Sequence, residues 1–273
     1  MKVVTGAVAL AGMAVVAVSG CGISVSTKTL HEDRSYDVTG QVDALRVKAD
    51  GDRIEVVGTD STKIVVQERL SYGKGERPTP LHTTEDGTLS LRYKCPGGIH
   101  VGIEPTCAVS YRVTVPRGTD VQVTGDSGRV QVTGVAGSVD ARTDSGTIDL
   151  VDLRSPKLTA RSDSGRIRVA GQALTTSLQT DSGAITAERL KVSDLTVRTD
   201  SGPIRASCTE PPANVNAVTD SGAVQLTLPG DREYAVSART DSGAETIDVN
   251  RDSTSPLQVK VITDSGPIKI VKA

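Results

Sequence analysis

The chain has no Trp and no Phe, and only 5 Tyr among its 273 residues, so aromatics make up 2%. Binding nucleic acid by base stacking needs aromatic platforms beside a basic groove. Neither is present, because the formal net charge is -2, and a nucleic-acid partner is excluded on this reading. The aromatic faces on which many sugar-binding modules rest their ligands are almost missing too. No phosphate-binding loop and no dinucleotide fingerprint occurs. No Cys-x-x-Cys pair of the kind zinc sites use occurs either. The three histidines, His31, His82 and His100, are scattered, and no Ser-His-Asp signature forms around them. Beyond the first twenty residues no run is long and apolar enough to cross a bilayer.

Hydrophobic residues still reach 37%, so the core must be built from Val, Ile, Leu and Ala. Gly 27 and Pro 12 make the chain rich in turns. Met1-Lys2 gives a short positive start, and Val3 to Val18 is a 16-residue apolar run broken only by Thr5, Gly6 and Gly12. Val18-Ser19-Gly20-Cys21 follows. Residues 1–20 read as an export signal and stand outside the fold. Small residues directly before a Cys resemble a bacterial lipobox, with Val18 where Leu is usual. The resemblance implies cleavage before Cys21, lipidation of its thiol, and a protein held by acyl chains on the outer face of the cytoplasmic membrane. Residues 21–35 show little hydrophobic periodicity and read as a tether.

With Cys21 assigned to lipid, Cys95, Cys107 and Cys208 remain in a compartment that permits disulfides. Cys95 and Cys107 flank a turn-rich stretch between the strand-like runs 89–93 and 109–115. A Cys95–Cys107 bridge would staple the base of that hairpin, worth about 3 kcal/mol on the chain-entropy model. Cys208 continues the alternation of Ile204 and Ala206 and reads as a small core residue.

The strongest signal is a repeat. Asp-Ser-Gly begins at Asp126, Asp144, Asp163, Asp181, Asp200, Asp220, Asp241 and Asp264, at spacings of 18, 19, 18, 19, 20, 21 and 23 residues. Apolar residues stand three and five before each Asp and four and six after it, apart from Thr176 and Glu245. Each flank therefore alternates as a strand does. Parity changes across the tripeptide, which makes it a corner: Asp accepts backbone N–H bonds and Gly takes a positive φ. Glu245 breaks the pattern and predicts a distorted seventh corner. A unit of this size cannot bury its own apolar face, so the units must stack. Further turns at 134–137, Ser155-Pro156, 210–212, 229–231 and Ser255-Pro256 separate them. Residues 121–273 thus read as an all-β, parallel β-solenoid, a single-stranded β-helix of about eight coils. Its expected hand is right; an antiparallel meander of hairpins is the rival. Residues 36–120 read as an N-terminal β region with strands over 42–57 and 63–70, a polar loop over 72–88, and the disulfide hairpin. It is either a separate small domain or an irregular set of capping coils.

Three stretches together carry a family resemblance: Leu45-Arg-Val-Lys-Ala-Asp-Gly-Asp-Arg-Ile-Glu-Val, Tyr111-Arg-Val-Thr-Val-Pro116, and the serial T/S-D-S-G-x-I/V pattern closing on Leu226-Thr-Leu-Pro229. Over residues 40–271 the chain resembles the putative-adhesin family of bacterial β-strand-repeat lipoproteins. The resemblance implies a β-helical envelope protein and supplies no catalytic residues.

The Asp row has two chemical readings. Calcium could bridge neighbouring carboxylates, but one Asp per coil is a sparse ligand set, and no metal or other cofactor is expected. The alternative is structural, with Arg142, Arg161, Arg198 and Arg239, each two residues before its Asp, offsetting the charge. Catalysis on a glycan needs carboxylates in unlike environments, and these look equivalent. Asp-Ser-Gly is also no nucleophile elbow, since no Gly precedes the Ser at the required spacing. A non-enzymatic, adhesin-like binding protein is therefore expected, whose solenoid face meets an envelope glycan, wall polymer or protein. A structural or regulatory envelope scaffold is the alternative.

Overall fold

The computed structural model describes residues 28–50, 53–97 and 106–273. The export segment, Cys21 and His100 lie outside them. Alternating apolar and polar residues make strand after strand, and among the described residues there is no helix. The chain opens with β1 (Leu30–Val38), β2 (Ala44–Ala49), β3 (Arg53–Thr59), β4 (Ile64–Tyr72), β5 (Thr79–Glu85), β6 (Thr88–Lys94) and β7 (Cys107–Pro116). The repeats supply β8 (Asp120–Gly125), β9 (Arg129–Thr133), β10 (Val139–Thr143), β11 (Thr147–Ser162), β12 (Ile167–Thr180), β13 (Ile185–Thr199), β14 (Ile204–Cys208), β15 (Asn214–Thr219) and β16 (Val224–Leu228). The last are β17 (Glu233–Thr240), β18 (Glu245–Asp248), β19 (Asn250–Arg251), β20 (Gln258–Thr263) and β21 (Ile268–Lys272).

Two ladders run side by side. The first is parallel through β6, β2, β8, β10, the later halves of β11, β12 and β13, then β15, β20 and β17. The second is parallel through β7, β3, β9, the early halves of β11, β12 and β13, then β14, β16, β21 and β18. Identical repeat positions pair in register, as with Ala141 on Ala160 and Ile148 on Ile167. The result is a β-solenoid-like stack of mostly parallel strands about 4.8 Å apart. Antiparallel strands close one end, β5 on β6 and β1–β4 on β7.

The order of levels departs from chain order at both ends. β2 and β3 lie between β6/β7 and β8/β9. At the other end β20 and β21 slot between β15/β16 and β17/β18. The eighth repeat is therefore internal and the seventh is the terminal level. This places Glu245 at the end of the stack. The corner there keeps part of the pattern: Thr240 Oγ1 donates to the Gly266 carbonyl at 3.0 Å and the Ser242 amide to the Asp264 carbonyl at 2.9 Å. Glu245 is exposed because no further level covers it.

Other expectations are corrected too. Residues 30–35 of the expected tether belong to β1. Ion pairs hold that strand down, Arg69–Asp33 at 2.7 Å and Arg77–Glu32 at 3.0 Å. β5 occupies part of the expected polar loop. Ser155-Pro156 is no turn, because β11 runs through it after a bulge between Val151 and Leu153. β6 and β7 do not pair as a hairpin. Leu91 is in register with Val47 and Tyr111 with Ile54, so β6 and β7 belong to different ladders. The Cys95–Cys107 disulfide, with Cα atoms 6.0 Å apart, ties the end of β6 to the start of β7.

The inward rows form one continuous core from Val42 to Ile270. It is narrow, so Val, Ile, Leu and Ala fill it. The two fully buried aromatics sit at the end levels, Tyr111 in β7 and Tyr234 in β17. Their hydroxyls donate to the carbonyls of Arg92 and Pro229, each at 3.0 Å, as a buried phenol requires. Cys208 is free and buried, and desolvation pushes its thiol up to about 11, which disfavours the reactive thiolate.

Candidate functional site

The site follows from the four residues Thr/Ser-Asp-Ser-Gly. The residue before Asp turns inward and is buried, as at Thr143, Ser162, Thr180, Thr199, Thr219 and Thr263. Its hydroxyl ties the corner in two directions. Thr180 Oγ1 donates to the Gly165 carbonyl of the preceding level at 3.2 Å and accepts the Gly183 amide of its own corner at 3.1 Å. Thr143 and Ser162 accept Gly146 N and Gly165 N in the same way, at 3.0 and 2.8 Å. The Asp backbone joins the stack as well, since the amides of Asp181 and Ser182 both donate to the Asp163 carbonyl, at 3.0 and 2.9 Å. The same pair of bonds recurs at Asp144, Asp163, Asp200, Asp220 and Asp264, while at the terminal Asp241 corner the Ser242 amide makes the bond.

This assigns the residues differently from the sequence reading. The local acceptor of backbone N–H is the Thr or Ser hydroxyl, not the Asp carboxylate. The Gly is required for close approach, not for a positive φ. A Cβ on Gly183 or Gly202 would lie 1.9 or 2.0 Å from the carbonyl oxygen of the neighbouring level's Gly, and none of the corner glycines has positive φ. We expect Thr180→Val to lower unfolding free energy by about 1–3 kcal/mol, because it leaves the buried Gly183 amide unpaired. Asp181→Asn should change it by less than about 0.5 kcal/mol. Urea unfolding of the two variants checks this, and equal losses would return the structural role to Asp.

With the fold held by the hydroxyls, the Asp and Ser side chains are left outside. All eight Asp-Ser pairs are exposed. In space they run Asp126, Asp144, Asp163, Asp181, Asp200, Asp220, Asp264, Asp241. Asp50 extends the row, since Ala49 is in register with Gly125. Asp126 is held above the usual carboxylate range. Sharing a hydrogen bond with the Asp144 carboxyl is the main cause; desolvation and the charges of Asp144 and Asp50 add to it. Among the described residues, the carboxylates of Asp163, Asp181, Asp200, Asp220 and Asp264 make no hydrogen bond or ion pair.

The expected Arg offset is mostly absent. Arg239 does reach its own Asp241, at 3.2 Å. Arg142 turns instead to Asp140, at 3.0 Å. Arg161 and Arg198 meet no carboxylate among the described residues, and Arg142 stands directly beside Arg161 across the ladder. Three exposed guanidiniums, Arg142, Arg161 and Arg198, thus flank the line of carboxylates without pairing with it. Among the described residues no three His, Cys, Asp or Glu side chains converge as a metal site. Of the histidines, His31 Nδ1 lies 3.1 Å from Ser71 Oγ and His82 lies against the Tyr36 ring, 5.0 Å between centroids.

Stacked parallel ladders, a repeated polar corner and a capped end define a β-solenoid-like repeat fold. The chain belongs to the Toastrack DUF4097 family, whose model matches residues 42–271. No curated protein matches it. Among solved structures it is similar to a putative adhesin from Bacteroides fragilis, with 15% identity, TM-score 0.53, and coverage of 90% of this chain and 99% of that one. It is also similar to a putative adhesin from Parabacteroides merdae, with 16% identity, TM-score 0.51, and coverage of 88% and 96%. At these identities the likeness is one of fold.

Proposed function

We propose that the protein is a non-catalytic binding protein of the bacterial cell envelope. It is held by lipid on Cys21 and displays its stack to an extended envelope polymer or protein. The observation that carries this reading is the unbroken line of exposed Asp-Ser pairs. Selection for stability alone would need only the buried Thr/Ser and the Gly. A ligand that repeats along its length would meet the same pair at every level, about 4.8 Å apart. The adhesin naming of the two similar folds agrees with a surface role. Because β1 begins shortly after Cys21, the antiparallel end faces the membrane and the terminal level points away. The coils are taken as right-handed, as parallel crossovers are.

The test is capture from fractionated envelope by the full chain in mild detergent, with and without calcium. A variant carrying Asp163→Asn, Asp181→Asn and Asp200→Asn is run beside it. Retention of one polymer or protein by the wild type and its loss in the folded variant is the expected result. Equal retention by both would remove the corner from the binding surface. Retention of nothing by either would leave the envelope-scaffold reading in its place. Dependence on calcium would make the row a cation site.

A further inference from the structure

A second pattern appears only when the repeats are placed in spatial order. On the outer face of the second ladder, the fifth residue after each Asp forms one row. From the third repeat onward, chain order gives Arg168, Thr186, Arg205, Gln225, Thr246 and Lys269, which has no period. The pairing gives Arg168, Thr186, Arg205, Gln225, Lys269, Thr246. A cation now stands at every second level, with a neutral hydrogen-bonding side chain between. The row beside it, three residues after each Asp, alternates on the same two-level period. It reads Arg166, Ala184, Pro203, Ala223, Pro267, Ala244, each residue accepting a backbone bond from the neighbouring level. Arg205 is thus accompanied by Pro203, and Lys269 by Pro267.

Arg205 and Lys269 are exposed and make no ion pair among the described residues. Arg168 shares one carboxylate, Asp149, with Arg129, at 3.7 and 3.4 Å, so that group of three keeps a net positive charge. Glu188 and Asp248 border the row two residues further along their strands and limit its width. From Ala184 to Ala244 the neighbouring row carries only Ala and Pro, which keeps bulky side chains off this face.

We infer that this row binds an extended glycan carrying one carboxylate per disaccharide, laid along the stack. Two levels span about 9.6 Å. That is close to the disaccharide repeat of an extended glycan in which successive rings face opposite ways. In such a chain the carboxylate returns to the same edge once per disaccharide and meets Arg168, Arg205 and Lys269 in turn. The uncharged ring between them lies over Thr186 or Gln225, and the pyrrolidines of Pro203 and Pro267 support the apolar ring faces. A polymer charged at every unit would set every second charge against a neutral side chain. The inference rests on the binding-protein reading and adds a second binding face, separate from the Asp-Ser corner, together with the chemistry of the ligand it takes.

The probe is a hyaluronate oligosaccharide, which carries one carboxylate per disaccharide. It is titrated against the full chain in detergent by fluorescence anisotropy, beside a neutral chitin oligosaccharide and polyglutamate. Wild type should bind hyaluronate in preference to both, with affinity falling as salt rises. Arg205→Gln with Lys269→Gln should weaken binding about tenfold, as loss of two exposed ion pairs would. The decisive variant is Arg205→Gln with Gln225→Arg. It keeps the net charge but moves the guanidinium to the level directly beside Lys269 and so destroys the period. Weakening comparable to that of the double loss is expected. Wild-type affinity in that variant, or equal binding of polyglutamate, would reduce the row to a nonspecific basic stripe. No binding of hyaluronate would overturn the inference. Envelope capture by a chain that ignores hyaluronate would sink this row while leaving the binding-protein reading standing.

Discussion

Deleting residues 258–273 should abolish folding rather than shorten the stack by one level. These residues are β20 and β21, which fill the slot between β15/β16 and β17/β18. Val259, Val261, Ile268 and Ile270 are all fully buried there. At about 1.5–3 kcal/mol for each buried side chain, their loss removes about 6–12 kcal/mol. A whole domain of ordinary stability has only about 5–15 kcal/mol. The deletion also uncovers the edges of β15 and β16 and leaves the terminal level with nothing to rest on. The full chain should show a cooperative urea transition, whereas the deleted chain should show none and lose its strand signal by circular dichroism. Ile270→Ala is the milder form and should cost about 2–5 kcal/mol. A solenoid whose levels followed chain order would lose only its last unit and unfold with a near-native midpoint. That outcome for the deleted chain would refute the inserted arrangement.

The same insertion marks the limit of what the sequence disclosed. The apolar rows were legible residue by residue, because strand periodicity needs only neighbours in the chain. So were the corners, from the parity change, and the Cys95–Cys107 pairing, from its flanking runs. The order of levels was not legible. Val215 pairs with Val259, yet Val236 would offer an equally apolar partner, and no local feature separates the two. The single cue was Glu245, a charge in a row otherwise of Val and Ile, and its meaning depended on knowing which level is terminal. The corner Gly was found for the wrong reason, since a contact with the next level's carbonyl cannot be seen within one repeat. β1 escaped because its inward side is half polar: Glu32 and Arg34 precede Tyr36 and Val38 on that side, and they are satisfied by ion pairs from β1 itself and from Arg77 rather than by burial. The cation row of Arg168, Arg205 and Lys269 was hidden by the same permutation that hid the level order.

Glu245 also carries the second large expectation. The terminal level exposes the free edges of β17 and β18. Val236, Ala238 and Ile247 pack on the core there but remain partly uncovered. An open β edge with apolar rows is a template for a further strand. At this edge the repeat places a carboxylate where the adjacent level has Ile268. Glu245 Oε1 accepts the backbone amide of Thr240 at 3.2 Å, so it occupies an edge donor as well as bringing charge. Glu245→Ile would complete the apolar row and free that amide. Burying the new side chain against another copy is worth about 1.5–3 kcal/mol, so the dissociation constant for self-association should fall at least about tenfold. Sedimentation velocity over a concentration series would read this as dimers and larger species at concentrations where the unaltered chain shows fewer. Glu245→Gln keeps the acceptor and loses only the charge, and should fall between the two. If Glu245→Ile sediments like the unaltered chain at every concentration, the edge is protected by something other than this carboxylate. The short β19, paired to Glu233 and Tyr234, is then the element to remove next.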